Sequence, residues 1–423
     1  MDRLIVGLDI GTDNVRVVIA EIDFENKIQV LGLAEKASAG MRNGVIVNVD
    51  AAASVIKEAI EEAEVNCGVS IPSVYTVIGG SQFESYNSRG GGGIDLEGRN
   101  RPLPVNEAAI ERAIKSAQAV KISLDKRLIH TIPQEYIIDN NEVYKKDELI
   151  GSYGVRLEVT CHLVTASMTA YDKILKTIDR AGYTVENNGN AVILKTLAAS
   201  QSCIHEDEME LGSILIDLGA GTTDVMVLYK GAPVYSASIP LGQKNVTNDI
   251  AKIKGIPFET AEEIKIKDGS AWPQDDEEKT LIIPPVGGKP PEEIRQKQLC
   301  AIIMAREEEI LTMVKRSVVQ NANVKKLDGS IVLTGGGAEL PGIIELTQAV
   351  WKTSSVRLGV CGDFGGDDDS YRSPSFATAM GIIFASRIFS AKAKSEKKSR
   401  GLKEKDSGKK KTNGFKKFLS KIF

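Results

Sequence analysis

Apolar and polar positions along the chain fall into two periods, and each period predicts a set of elements. Residues 4–21, LIVGLDIGTDNVRVVIAE, are two apolar runs separated by Asp9 and a Gly-containing turn, which predicts a β-hairpin. A helix follows at about 50–66, then the strand VYTVIGG. From residue 82 the rhythm changes to loop, strand, a helix near 106–120 and two β-rich runs. In that helix Ala109, Ile110, Ala113, Ile114 and Ala117 recur at helical spacing. Residues 213–231, SILIDLGAGTTDVMVLYKG, repeat the strand–turn–strand pattern of the N-terminus, and 330–350, SIVLTGGGAELPGIIELTQAV, predict a strand, a triple glycine and a helix starting near Pro341. The run RGGGG at 89–93 lacks a strand before it and a helix after it, and reads as a flexible loop. The most apolar stretch, Phe376–Phe389, is interrupted by Thr378, Ser386 and Arg387. It is too short and too polar to span a bilayer and predicts a buried helix.

The chain's last residues follow a third pattern. Phe415, Phe418, Leu419, Ile422 and Phe423 stand at i, i+3, i+4, i+7 and i+8, while Lys416, Lys417 and Lys421 fall on the opposite face. An isolated helix of about ten residues is unstable in water. Such a stretch is expected to fold when its apolar face enters a lipid headgroup boundary, with anionic lipid attracting the lysines. Residues 391–413 have no apolar periodicity, are rich in Lys, Ser and Gly, and read as a disordered linker.

Charge sharpens that contrast. The net charge of −4 conceals 13 Lys/Arg against 3 Asp/Glu in residues 391–423, a local +10 that leaves −14 on residues 1–390. An acidic body with a basic tail suggests that only the tail seeks an anionic surface, and no nucleic-acid partner is expected. Otherwise the composition is globular, with 42% hydrophobic and 26% charged residues in 423, enough for two to four domains. Cys67, Cys161, Cys203, Cys300 and Cys361 are scattered without C-x-x-C spacing, which suits a reducing compartment rather than disulfides or a zinc site. The N-terminus runs straight into a strand, so no signal peptide is expected.

The repeated hairpin carries the candidate chemistry. Asp9 matches Asp217 and Gly11 matches Gly219 at one constant offset. Gly11, Gly219 and Gly221 allow backbone N–H groups to approach an anion. Thr12, Thr222 and Thr223 add hydroxyls, and the two aspartates end their strands where they could hold a hydrated Mg²⁺ between phosphates. The glycine triplet Gly335–Gly337 offers a flat surface for a purine ring. No G-x-x-x-x-G-K-[ST] occurs, which excludes a P-loop enzyme.

Two Asp-x-Gly phosphate hairpins followed by a Gly-rich adenosine turn resemble the actin/Hsp70/sugar-kinase ATPase superfamily. The stretches GLDIGT, VYTVIGG, HTIPQEYIID, GVRLEVTCHLVTAS, LIDLGAGTTDVMV and LTGGGAELPG closely resemble the bacterial cell-division family FtsA, over about residues 3–390 and again at the terminal helix. This resemblance implies an α/β, actin-like ATPase fold, with two halves around a nucleotide cleft. It implies subdomain 1A at 1–81 and 163–199, an inserted 1C at 82–162, 2A at 200–240 and 306–376, and 2B at 241–305. A helix at 377–390 would pack on 1A, before the linker at 391–413 and the membrane-targeting helix at 414–423. NNGNAVILKTLAAS would be a helix connecting the halves, and TAEEIKI (260–266) a helix of 2B. The implied cofactors are ATP and Mg. Gly11, Thr12, Asp13, Asn14, Gly219, Ala220, Gly221, Thr222 and Thr223 would lie at the phosphates, and Gly335, Gly336 and Gly337 at the adenosine. Glu262, Glu263 and Lys265 would reach the ribose and base, the alternative being a solvated helix face.

Within the superfamily, a sugar kinase needs a base aimed at a bound sugar, and no polar cluster demands such a pocket. A chaperone would need a substrate domain where only the tail remains. The resemblance therefore implies an adaptor that polymerises, binds the C-terminal tail of FtsZ through 2B, recruits later division proteins through 1C, and works on the cytoplasmic side of the membrane at the septum. ATP turnover is expected to be weak at most. Lys289, Arg295 and Lys297 are the candidate bases for the FtsZ tail, chosen by location and charge. The alternatives are a pilus-assembly ATPase of PilM type and a small-molecule kinase.

Overall fold

The computed structural model describes residues 3–386 except 24, 26, 96–100, 140–141, 145, 274–278, 284–291, 325–326, 363 and 366–368. Lys289, the linker at 391–413 and the terminal stretch 414–423 lie outside the described residues.

Two sheets share one plan. In the first, Arg3–Ile10, Asn14–Ile22 and Ile28–Ala37 form an antiparallel meander, and Ser73–Ile78 pairs in parallel with the first strand. In the second, Ser213–Leu218, Thr223–Tyr229 and Ala232–Ile239 form the meander, and Ile331–Thr334 pairs in parallel. Period-2 alternation divides the second sheet between two cores. Ile214, Ile216, Val225 and Val227 pack with the helices of the second half, whereas Leu215, Met226 and Leu228 join the core of the first. A buried Ile or Leu contributes roughly 1.5–3 kcal/mol, so this shared layer binds the halves together at their base.

Helices cover the outer faces. Val49–Cys67 starts at Asn48, whose side chain accepts from Ala51 N at 3.2 Å, and stops at Gly68 in the left-handed region. It buries Ala52, Ile56, Ala59, Ile60 and Ala63. Residues 377–386 are helical. They lie in a trough cleared by glycine: a Cβ on Gly7 would stand 2.6 Å from Ala379 O, and one on Gly381 would overlap Ala198 O. In the second half, Gln243–Lys254 and Phe258–Asp268 pack beside the 26-residue helix Gln296–Asn321, next to the two-stranded ribbon Thr280–Ile283 and Glu292–Arg295. Among the described residues, no helix is long and apolar enough to cross a membrane.

The segment after Gly80 forms a sheet of its own, ordered Glu142–Tyr144, Lys126–Ile138, Arg156–Ser167, Phe83–Gly93, with helix Glu107–Gln118 packed on it. Here RGGGG is strand, not loop. Arg89, Gly90, Gly91, Gly92 and Gly93 pair in register with Thr160, Val159, Glu158, Leu157 and Arg156. Glycine is a weak strand former on its own. The long partner strand supplies the hydrogen bonds, and the helix needs the gap, since a Cβ on Gly90 would overlap the Ala117 backbone. The last strand of this sheet runs through residue 162 to Ser167.

NNGNAVILKTLAAS is also not one helix. Glu186–Gly189 is a single turn in which Asn187 and Asn188 have left-handed φ of 54° and 53°, Val192–Leu194 is a strand parallel to Ser73–Ile78, and the longer helix is Lys195–Cys203. The apolar run takes the sheet edge available to it, overriding its helix-like sequence.

Candidate nucleotide cleft

A cavity of about 610 Å³ opens between the halves. Both hairpin turns face it and are built alike. Gly11 N donates to Asn14 O at 3.0 Å, and Gly219 N donates to Thr222 O at 3.0 Å. A Cβ on either glycine would meet that same carbonyl oxygen, at 2.5 Å and 2.7 Å, so the tight turn requires glycine in both places. Gly221 lets the turns approach each other, because a Cβ there would stand 2.7 Å from Asn43 Cα and 2.9 Å from Thr12 Oγ1. Across the mouth, Lys244 Nζ lies 3.1 Å from Asp13 Oδ1.

The sequence candidates Gly11, Thr12, Asp13, Asn14, Gly219, Ala220, Gly221 and Thr222 line this cavity with Asp9 and Asp217. Thr12 is already engaged, its Oγ1 accepting from Gly44 N at 2.8 Å. Thr223 is a correction. Strand alternation turns it away from the cleft, and its buried hydroxyl donates to Leu241 O at 3.0 Å.

Gly335, Gly336 and Gly337 form part of the opposite wall. Gly335 has φ of 80° and packs against Asp217, so a side chain there would be strained and obstructed. Gly336 faces open space, with no atom within 4 Å of a Cβ position. Glu262 and Lys265 also reach the cavity, while Glu263 is exposed on another face of its helix and is not in the lining. Lys265 is buried and donates to Glu262 Oε2 and Thr247 Oγ1, both at 2.9 Å. Arg295 and Lys297 are exposed on the second half, away from the cavity lining.

Three titratable groups in or behind the cleft escaped the sequence reading or were left without a role. Asp224 lies in the quoted stretch GAGTTD and is paired in register with Asp217. Its Oδ2 accepts from Gly80 N at 3.3 Å, and burial pushes its pKa up to about 6 against the pull of Lys195. Lys195 Nζ lies 3.0 Å from Asp217 Oδ2. Glu307, fully buried behind the wall, accepts from Gln243 Nε2 at 2.6 Å. A motif search has no handle on Lys195 or Glu307, since their partners are distant in sequence.

The floor suits a hydrated cation. Asp9 Oδ1 and Asp217 Oδ1 are buried without a hydrogen-bond partner, at side chains only 3% and 1% exposed. Burial raises the Asp9 pKa, with Lys195 and Arg16 pulling it down. Such orphaned carboxylate oxygens are costly unless a cation or its waters meet them. Among the described residues no group of three or more His, Cys, Asp or Glu is arranged to hold a metal ion directly.

The family model described as "Cell division protein FtsA" matches residues 214–381, and that described as "SHS2 domain inserted in FTSA" matches residues 80–165, the separate four-stranded sheet. The cell division protein FtsA of Borreliella burgdorferi is 36% identical over 383 residues, covering 90% of each chain. The chain belongs to the FtsA family. Its fold is the actin-like ATPase fold. The PilM–PilN type IV pilus biogenesis complex superimposes with a TM-score of 0.63 at 17% identity, covering 89% of this chain and 97% of that one. MreB5 of Spiroplasma citri bound to ADP gives 0.53 at 15% identity, covering 94% and 98%. At these identities the two structures share only the architecture. The FtsA relationship rests on the sequence match, which spans both halves and the inserted sheet.

Proposed function

We propose that this FtsA-family chain is an ATP-binding adaptor that polymerises on the membrane at the division septum and tethers FtsZ filaments to its inner face. The observation that carries the nucleotide part is the pair of matching turns at Gly11 and Gly219, facing one cavity with an acidic floor between them. In this reading Asp9 and Asp217 hold hydrated Mg²⁺ through water. The turns at Gly11–Asn14 and Gly219–Thr222 receive the phosphates, and Gly335–Gly337 with Glu262 and Lys265 receive the adenosine. Bound magnesium would neutralise phosphate charge against the two carboxylates. Nucleotide bridging the turns would set the angle between the halves, and with it their contacts with neighbouring copies.

The outer surfaces take the partners. Arg295 and Lys297, exposed on 2B, offer positive charge to the acidic FtsZ tail, with Lys289 as a third base. The inserted sheet is the site for later division proteins. Residues 414–423 bind anionic lipid through Phe415, Phe418, Leu419, Ile422 and Phe423, supported by Lys416, Lys417 and Lys421. Treated as a flexible coil, the 23 residues at 391–413 reach roughly 25 Å, enough to hold the body off the membrane.

Co-sedimentation with anionic liposomes, with and without the FtsZ C-terminal peptide, tests the whole reading. The full chain should pellet and carry the peptide with it. Removing 414–423 should release it while ATP binding persists, and Phe418→Glu should act similarly. Liposome binding that survives both changes would remove the lipid assignment, and peptide binding unaffected by reversing Arg295 and Lys297 would move the FtsZ site elsewhere.

A further inference from the structure

Lys195 opens the helix Lys195–Cys203 directly after Val192–Leu194, so the strand end delivers its side chain to the cleft floor. Its stem passes Gly79, where a Cβ would stand 3.1 Å from both Lys195 Cβ and Asp224 Oδ2. Gly79 thus leaves the corridor this lysine occupies. Nζ ends 3.0 Å from Asp217 Oδ2 and 3.9 Å from where a Gly219 Cβ would stand, beside the second phosphate turn. The side chain is 19% exposed, and it lines the cavity.

Charge balance gives this placement meaning. Asp9, Asp217 and Asp224 place three carboxylates in the floor, all nearly inaccessible. Lys195 compensates one of them. Arg16, which also acts on Asp9, is paired with Glu35 at 2.8 Å. The floor carboxylates therefore outnumber the ammonium beside them, which leaves room for a further cation. An ammonium on a flexible stem is a compact point charge suited to phosphate oxygens. Among the described residues lining the cavity, this is the lysine that lies against both the floor carboxylates and the turn at Gly219.

We propose that Lys195 is a fixed cation of the phosphate site, contacting the nucleotide's phosphates beside the hydrated metal and so reducing the dependence of nucleotide binding on Mg²⁺. The proposal rests on the reading of the cleft as an ATP site. When nucleotide enters, Nζ keeps Asp217 as one partner and turns its remaining protons toward the phosphate against Gly219. The floor then carries a permanent positive charge beside the metal.

The test is equilibrium binding of a fluorescent ATP analogue, with unlabelled ATP as competitor, to the full chain in excess Mg²⁺ and in EDTA. Wild type should bind measurably in EDTA. Lys195→Met keeps the stem and loses the charge, and should raise the ratio of EDTA to Mg²⁺ dissociation constants by roughly tenfold, the scale of one charge-assisted hydrogen bond. Lys195→Arg should restore most of the wild-type ratio. Equal ratios in wild type and folded Lys195→Met would overturn the proposal. So would wild type that binds with Mg²⁺ but not in EDTA, a result that needs no variant to fold. Wild type that binds nucleotide under neither condition would instead overturn the ATP-site reading, and this proposal with it.

Discussion

Gln243 Nε2 donates to Glu307 Oε1 across 2.6 Å, tying the wall of the cleft to the longest helix of the second half. Glu307 is fully buried, and its other carboxylate oxygen has no hydrogen-bond partner. Burial pushes its pKa up to about 7 from the ordinary 4.5, against the opposing bond from Gln243. The native state therefore keeps a proton that the unfolded chain has released. Its contribution to stability is complete below about 4.5 and is lost as pH rises through about 7. The magnitude is on the order of 3 kcal/mol. Glu307→Gln should remove this component, so urea midpoints at pH 5 and pH 8 should differ less in the variant than in wild type.

His162 should behave in the opposite sense. It is buried between the inserted sheet and the second half, its ring nitrogens 2.8 Å from Asn87 Oδ1 and 3.1 Å from Ser236 Oγ. Burial lowers its pKa from 6.5 to about 4. The stability it contributes is present above 6.5 and lost as pH falls through about 4. An imidazole NMR titration with a midpoint near 6.5 would contradict this. His162→Ala should cost about 1–3 kcal/mol by leaving buried partners unsatisfied.

Neighbouring glycines at the adenosine wall should respond differently to substitution. Gly336→Trp should preserve the melting temperature and abolish nucleotide binding in calorimetry, because its Cβ position opens onto unfilled cleft. Gly337→Ala should instead cost stability, about 1–3 kcal/mol, since its Cβ would stand 2.5 Å from the Gln243 Nε2 that Glu307 holds.

The glycine run of the inserted sheet offers a parallel contrast. Gly90→Ala should destabilise the insert by about 1–3 kcal/mol or more, as it drives a methyl group into the Ala117 backbone. Gly92→Ala, with nothing within 4 Å, should be tolerated. Protease susceptibility near residue 118 would report the difference.

The hairpins and their facing turns were legible because the Asp-x-Gly pattern is local and occurs twice, so each copy supports the other. Side-chain direction within the motif was less so. Thr222 and Thr223 look equivalent as letters, and only the pleat sends one to the cavity and the other to Leu241. RGGGG and NNGNAVILK were misread because their conformation is imposed by strands distant in sequence, Arg156–Ser167 and Ser73–Ile78. Lys195 and Glu307 are tertiary facts. Nothing adjacent to either residue announces Asp217 or Gln243, and burial of the charge becomes apparent only when the halves are assembled.

The inserted sheet enters and leaves through one doorway. Phe83 and Ala166 sit opposite each other, so the chain departs from the parent fold and returns to it side by side. A module hung this way can lengthen, shrink or change its outer face without stretching the strands that form the cleft. Mechanically it is a handle. A pull on its far edge arrives at Gly80 and Ser167 as a single hinge load, and the contacts of Ser85, Asn87 and Gln134 with the strand Ala232–Ile239 deliver part of that load to the opposite half. A pull on the insert is therefore shared between its two chain connections to the first half and its hydrogen bonds to the strand Ala232–Ile239.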